Sequence, residues 1–564
     1  MTNAKIAMAL MFLSLGGCLS QQEKSSQPMG QNVKDELGCQ TWRDYVSAVQ
    51  SGESLPLPDY SYAGYQYAEK GIPDIHGPLF NVVDFGAVAN DEHSDRLPIH
   101  KAIKAAEDHG GGVVFFPPGR FLVNEKKGVA KGFEISSSNI VLRGSGCGEG
   151  GTEIFMKHHL MPKNPKQKWS VPAMFSFVHE NRSGRSFTTS KFSVDQGEKP
   201  VAAIVSDARA GSKVLKVDDA SRIKAGDVLA VRMQNTEAND LYLEDRCARD
   251  IWSDVLTKGV VICEKLEVES VHGNELHLVA PIHSAVEVHH GWSVYSYSVA
   301  EGWGVEDIHF RGNFQEEFVH HKDFIHDSGW NMVSMSRGKN CWIRRCRLSD
   351  MSVGFSFSGC LASSMLMNSV EGNRGHSSFV SKWGQNNLIG LSRDITNKGT
   401  YHGPGFSHQN AGGVVWRYRS HVGGGPDFHA YCPHTSLWDQ SRASAMENGG
   451  NYKMQPNHLG GLTFWNFERT DQGKALFDFW ALPMSDMDQK KKYYGGVKIV
   501  NPNVIGYHGT PTVFQSTGLS ESIGQAVEPE SLYEAQLALR LGKLPDWVEN
   551  SKLEWQSIQH VSGM

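Results

Sequence analysis

Short apolar runs that alternate with polar positions, each closed by glycine, asparagine or proline, fill most of this chain and return at a steady interval. The first complete unit spans 80–123. Positions 81–85 alternate as a strand does, and Gly86 opens a turn into Asn90, Asp91, Glu92, Ser94 and Asp95, a polar run that suits a helix N-terminus. Ile99, Ala102, Ile103 and Ala106 then recur at helical spacing. Gly110, Gly111 and Gly112 stop that helix, and 113–116 is an apolar strand ended by Pro117, Pro118 and Gly119. After Gly302, strands begin near Val305, Cys341, Ser363, Leu388, Val414, Leu437, Leu462 and Val497, mostly at steps of roughly 20 to 26 residues. A coil of that length cannot bury its own apolar face, so the spacing predicts a stack of coils. The two longer gaps, at 314–339 and 467–497, are expected to be loops that rise beside a groove.

Two stretches extend this reading to a family. One is the strand, helix, strand order over 80–123, with Ser94, Asp95, Arg96, Leu97, Pro98, Ile99, His100, Lys101, Ala102 and Ile103 at the helix start. The other is Ser138, Asn139, Ile140, Val141, Leu142, Arg143, Gly144, Ser145 and Gly146. Together they resemble the opening segment and first full coil of the pectate-lyase superfamily. The resemblance implies an all-β fold, a right-handed parallel β-helix whose open end is covered by a capping helix. It also implies a protein that binds or cleaves a polysaccharide.

Between 200 and 299 the pattern changes to brief alternating strands, such as 212–217 and 274–279, which predict a small β module inserted into the early coils. The expected organisation is a leader (1–18), a tether and N-terminal segment (19–58), cap and first coils (59–199), the module (200–299), the main coils with a groove (300–527) and a helical C-terminal segment (528–564). In that last segment Ser531, Leu532, Ala535, Leu537, Ala538 and Leu541 recur at helical spacing and are expected to close the far end.

Composition narrows the partners. A formal net charge of −6 and the lack of a basic stripe argue against nucleic acid. The apolar run 6–15 is too short to span a bilayer, and with Leu15, Gly16, Gly17 and Cys18 it resembles a bacterial lipoprotein signal. That resemblance implies export, lipidation of Cys18 and anchoring at the outer membrane, with membrane contact only through the lipid; the body is expected to be a monomer. The polar stretch 21–33 reads as a flexible tether. Of the later cysteines, Cys341, Cys346 and Cys360 are expected to fill stacked coils as small apolar groups.

The candidate chemistry lies in 371–471, where histidines and cations sit beside turn glycines on successive coils. Eliminative cleavage of a uronate removes the weakly acidic proton beside its carboxylate. It needs a cation or strong donors to stabilise the enolate, and a base within reach. Arg417 is the expected carboxylate neutraliser, His429 or Lys382 the base, Asp427 the residue that orients His429, and His376 a further catalytic candidate. Alternation over Asp427, Phe428 and His429 places the two polar side chains on one side of a strand. Alternation over 414–420 likewise puts Arg417 and Arg419 outward with Val415, and Val414, Trp416 and Tyr418 inward. Arg374, Arg419, His402, His408, His458 and Trp383 are expected to bind substrate, and Trp416, Trp438 and Tyr452 are further aromatics able to stack on sugar rings. No metal-ligand set is assigned: Asp427 and His429 with His434 make an incomplete one. Calcium, which related lyases use, is the one candidate cofactor. The run His320 to Trp330 reads as a solvated loop.

Two other functions fit the same scaffold. A glycosidase needs two carboxylates about 5 to 10 Å apart, which residues on neighbouring coils about 4.8 Å apart can supply, and Asp427, Asp439, Glu447, Glu468 and Asp471 are available. A non-catalytic carbohydrate-binding β-helix needs neither base nor acid.

Overall fold

The computed structural model describes residues 38–179, 199–450, 452–473, 475–480 and 497–561. Among them, three parallel sheets of twelve, ten and eight strands run side by side along the molecule. The chain visits them in order. Leu388–Gly390 lies in the first sheet, Arg393–Asp394 in the second and Gly405–Ser407 in the third, and Ala411–Trp416 then returns to the first, stacked on Leu388–Gly390. This is a right-handed parallel β-helix. The first-sheet strands Gly304–Glu306, Trp342–Arg344, Ser364–Leu366, Leu388–Gly390, Ala411–Trp416, His434–Asp439 and Leu462–Trp465 fall where the apolar period predicts.

Inside the stack each sheet contributes rows of apolar side chains. Val305, Ile343, Met365, Ile389, Val415 and Trp438 come from the first, Phe310, Leu348 and Val370 from the second, and Phe175, Phe355, Phe379, Phe406 and Phe428 from the third. Truncating one of these phenylalanines to alanine is expected to cost about 3–5 kcal/mol. Cys341, Cys346 and Cys360 are unpaired and buried in the same core. Helix Arg96–His109 covers the first coil with Ile99, Ala102, Ile103 and Ala106, and ends at Gly110, whose φ of 90° suits glycine.

Strand Ile140–Arg143 pairs directly with Gly304–Glu306, and Thr152–Met156 and Phe175–Val178 complete that coil in the second and third sheets, so the excursion from the stack lies between 178 and 304. A six-stranded antiparallel sheet, from Pro200–Ala203 to Ser293–Ser296, fills most of that excursion. Its core packs against Ala430, Tyr431, Cys432 and Leu459 of the coils.

The outer face of the first sheet is apolar too, and this decides where both chain ends go. Leu366, Leu388, Val414, Trp416, Leu437, Trp465 and Ile505 are covered by Tyr45, Leu57 and Tyr60 from the N-terminal segment and by Leu532, Leu537, Val548 and Trp555 from helices Leu532–Leu541 and Asp546–Val561. The C-terminal helices therefore line a flank and do not close the far end, because the outward apolar stripe is the surface that needs burying. The N-terminal segment runs along the same flank, coil by coil. Gln40 and Thr41 N–H groups donate to Glu521 (2.7 and 2.9 Å), Tyr60 Oη to the Gly461 carbonyl (2.7 Å), Gly64 N–H to Asn386 O (2.9 Å) and Tyr65 N–H to Ser364 Oγ (2.8 Å). Farther on, Arg344 donates to the carbonyls of Ile72 and Pro73 (3.2 Å each).

The turns between first and second sheets hold a column of left-handed residues: Asp307, Arg345, Met367, Leu391, Arg417, Gln440 and Asn466. This column breaks the alternation expected over 414–420. Val415 and Tyr418 face the core, while Val414 and Trp416 lie outward beneath the terminal helices. Cys18 and the tether at 21–33 lie outside the described residues.

Candidate active site

The third sheet carries the chemistry. Strand Ser377–Lys382 pairs with Gly405–Ser407, which pairs with Asp427–Phe428, and Ser377 also bridges to His402. That register gathers residues from three coils. Phe428 points into the core, so Asp427 and His429 lie on the outer face. Asp427 Oδ2 accepts from His429 Nδ1 (3.0 Å), and Oδ1 accepts from His402 Nδ1 (3.0 Å). Burial opposes the charge on Asp427, but the two imidazoles hold its carboxyl far below the usual carboxylate range, and we take it as ionised. With Nδ1 engaged, His429 is left with Nε2 as the nitrogen without a hydrogen-bond partner among the described residues. Gly449 lies against the His429 ring, where any Cβ would collide with it.

Around this pair stands a wall of imidazoles. Ring centroids of His402 lie 4.6 Å from His429, 5.0 Å from His376 and 5.6 Å from His320. The His376 Nδ1 proton goes to the Asp327 carbonyl (2.7 Å). Burial pushes His376, His402 and His408 below the ordinary imidazole value and His320 down to about 3, so these rings are neutral at neutral pH. Burial also lowers Lys382, against the opposing pull of Asp427, and its ammonium has no hydrogen-bond acceptor among the described residues. Trp383 packs at a tilt beside His408, with ring centroids 4.0 Å apart, and the Arg374 guanidinium lies 5.2 Å from the Tyr401 ring centre. Lys382, His376, His402, His408, Asp427, His429, Trp383 and Arg374 thus share one region.

The segment His320 to Trp330 is a wall of this site and not a solvated loop. His326 and Asp327 are buried, His320 stacks on Tyr401 at 4.2 Å, and Lys168 reaches the Asp327 carboxylate at 3.3 Å. Trp169, 42% exposed, faces His376 with ring centroids 5.9 Å apart and offers a platform for a sugar ring. Sequence reasoning missed His320, Asp327, Tyr401 and Trp169. The signal available was the density of histidine and phenylalanine in the long gap before a third-sheet strand.

Other expected site residues lie elsewhere. Arg417 sits in the turn between first and second sheets, with Nε on Glu534 (2.6 Å) and Nη2 on Glu530 (2.7 Å), so its charge is spent on the C-terminal helix. Arg419 donates to the Tyr418 carbonyl (3.1 Å) and Gln440 Oε1 (3.2 Å) on that flank. His458 is wholly buried and bonds Ser436 Oγ at 3.1 Å, since its coil is covered by the inserted module. Trp416 and Trp438 are fully buried. Among the glycosidase candidates, Asp439 accepts from the Leu532 N–H at 2.9 Å under the C-terminal helix, Glu468 faces Arg442 at 3.3 Å and Asp471 faces Arg469 at 2.8 Å. A separate cleft of about 830 Å³ on the second sheet carries Glu153, His309, Arg311, Arg347 and Glu371, whose charges pair across neighbouring coils.

Calcium fits this donor set poorly. It takes six to eight oxygens, whereas the site presents imidazole nitrogens and the Asp427 oxygens already accept two N–H groups.

Residues 79–307 match the family described as rhamnogalacturonase A/epimerase, pectate lyase-like, and 399–551 match a domain of unknown function, DUF4955. Mannuronan C5-epimerase AlgE6 and alginate lyase 7, both of Azotobacter vinelandii, are each 39% identical over 70 residues, 12% of this chain and 8% of theirs. The chain therefore spans less than a tenth of the length of these relatives. Among solved structures, the gp54 tailspike of Acinetobacter baumannii bacteriophage AP22, in complex with capsular saccharide, aligns over 77% of this chain and 58% of its own (12% identity, TM-score 0.43). The AlgE6 A-module aligns over 79% and 94% (13%, TM-score 0.39), and an exopolygalacturonase from Thermotoga maritima over 82% and 94% (12%, TM-score 0.33).

Proposed function

We propose that this parallel β-helix, whose residues 79–307 match the rhamnogalacturonase A/epimerase, pectate lyase-like family, cleaves an acidic polysaccharide, uronate-containing or sulfated, by β-elimination. One observation carries this reading: a buried, ionised Asp427 fixes the Nδ1–H tautomer of His429 beside the weakly basic Lys382 on one groove. The His429 Nε2 lone pair takes the proton next to the uronate carboxylate. The electrons left behind form the C4–C5 double bond as the C4–O bond breaks, and the departing oxygen takes a proton from solvent. Lys382 and Arg374 stabilise the charge that builds on the carboxylate. Trp169 and Trp383 hold neighbouring sugars.

In this reading the enzyme is exported and held at the outer membrane by a lipid on Cys18, where it meets polymer outside the cell. Among the described residues no helix is long and apolar enough to cross a membrane.

The test is a panel of uronate and sulfated polymers, with ultraviolet absorbance of unsaturated ends and reducing ends followed together. Elimination raises both. A rise in reducing ends alone indicates hydrolysis and overturns the reading. No rise in either, with deuterium entering C5 from heavy water, indicates epimerisation, which shares the proton abstraction but not the bond cleavage. No change of any kind indicates a binding protein.

A further inference from the structure

We infer that His320, His376 and His402 form a binding site for a divalent transition-metal ion of the zinc class. One ring nitrogen from each lies within 4.8 Å of the others. Three ligands at about 2.0–2.1 Å from a tetrahedral ion sit about 3.4 Å apart, so the rings need to close by only on the order of 1 Å.

Several independent features point the same way. His402 is 4% exposed, and its Nε2 is buried without a hydrogen-bond partner. An imidazole nitrogen in that state is costly unless something fills the space before it. The other nitrogens are held as those of metal ligands are: His402 Nδ1 by the Asp427 carboxylate at 3.0 Å and His376 Nδ1 by the Asp327 carbonyl at 2.7 Å. Such bonds fix the tautomer that offers Nε2 to an ion and raise its basicity. The Asp427 carboxylate behind His402 adds negative charge without occupying the site. Imidazole donors suit zinc, cobalt, nickel or copper and not a hard cation.

Three protein ligands leave a fourth position open. If the elimination reading above holds, a uronate carboxylate enters that position, and the ion supplies the neutralising charge that Arg417 does not. That role rests on the proposed reaction, whereas binding of the ion does not.

The experiment uses the full chain without a polyhistidine tag, stripped with a strong chelator. It is titrated with Zn²⁺ against a chromogenic chelator, and with Co²⁺ followed by visible absorption. The expected result is one ion per chain and the intense visible band of tetrahedral nitrogen-ligated cobalt. His320→Ala, on a loop outside the stack, is expected to weaken binding on the order of 100-fold or more while keeping the wild-type melting temperature. His376→Ala and His402→Ala are expected to do the same, and His421→Ala, exposed on another turn, to bind as wild type does. Absence of competition by the wild type, or unchanged affinity in folded His320→Ala, overturns the site. No metal with intact elimination removes the site and leaves the reaction, whereas stoichiometric metal with no elimination on any polymer supports the site and sinks the reaction.

Discussion

Replacing Asp427 by asparagine is the sharpest perturbation of the proposed reaction. Asp427 is 5% exposed and accepts hydrogen bonds from two imidazole N–H groups, at 3.0 Å to His402 and 3.0 Å to His429. Asparagine has the same shape but only one oxygen, so its amide N–H₂ faces one imidazole N–H. The cheapest relief is for one histidine to move its proton to Nε2. In His429 that change removes the lone pair that takes the substrate proton. The loss of a charge-assisted hydrogen bond alone is worth about 1.5–3 kcal/mol. Loss of a positioned base lowers kcat by about 10²–10⁴-fold, which at 1.36 kcal/mol per decade is roughly 3–5.5 kcal/mol of barrier. The second figure contains the first, so kcat is expected to fall by two to four decades, with KM changed little because the cations that grip the carboxylate remain. The assay is the initial rate of unsaturated-end formation at saturating polymer, beside a melting curve to confirm folding. A folded Asp427→Asn protein whose kcat stays within about threefold of wild type refutes the assignment.

Further outcomes are expected elsewhere. Arg417→Ala removes one partner of Glu534, leaving Lys552 at 3.0 Å and the Trp416 indole N–H at 2.9 Å, so the denaturation midpoint falls by an equivalent of about 1–3 kcal/mol while kcat stays within about twofold. A collapse of kcat at unchanged stability restores Arg417 to the reaction. Burial raises the Asp439 carboxyl to about 7, so its contribution to stability is present below its unfolded value near pH 4 and is lost as pH rises through about 7. Melting temperatures of wild type should therefore fall between pH 5 and pH 8 more steeply than those of Asp439→Asn, and parallel curves count against this. Cys18→Ala should move the protein from the membrane fraction to the soluble exported fraction, and an unchanged membrane share disposes of the lipid anchor.

Local rules made the scaffold readable. The helix of Ile99, Ala102, Ile103 and Ala106 and the coil period rest on contacts between residues close in the chain or on repetition, and both survive in the structure. Asp427, Phe428 and His429 were readable for the same reason, since two-residue alternation holds within a strand. Arg417 was not, because one left-handed residue at φ 53° ends the strand and resets which side is out. A run of seven residues cannot show such a turn when the residue is not glycine. The His320 wall was hidden for a different reason: its partners Tyr401 and His402 are about eighty residues away, and only the stacking of coils brings them into contact. The C-terminal helices were legible as helices, but their docking surface is an outward stripe on the first sheet that reads like any other strand face.

Solenoids commonly fray, since each terminal coil leans on a single neighbour. The N-terminal segment alters that physics. It meets Glu521 in the last coil, then Gly461, Asn386, Ser364 and Arg344, before entering the first sheet itself. An end coil cannot peel away without also detaching a lace threaded through the others. The stack is therefore expected to melt as one cooperative block, with a groove assembled from three different coils keeping its spacing even at the end of the molecule where a bare solenoid would loosen first.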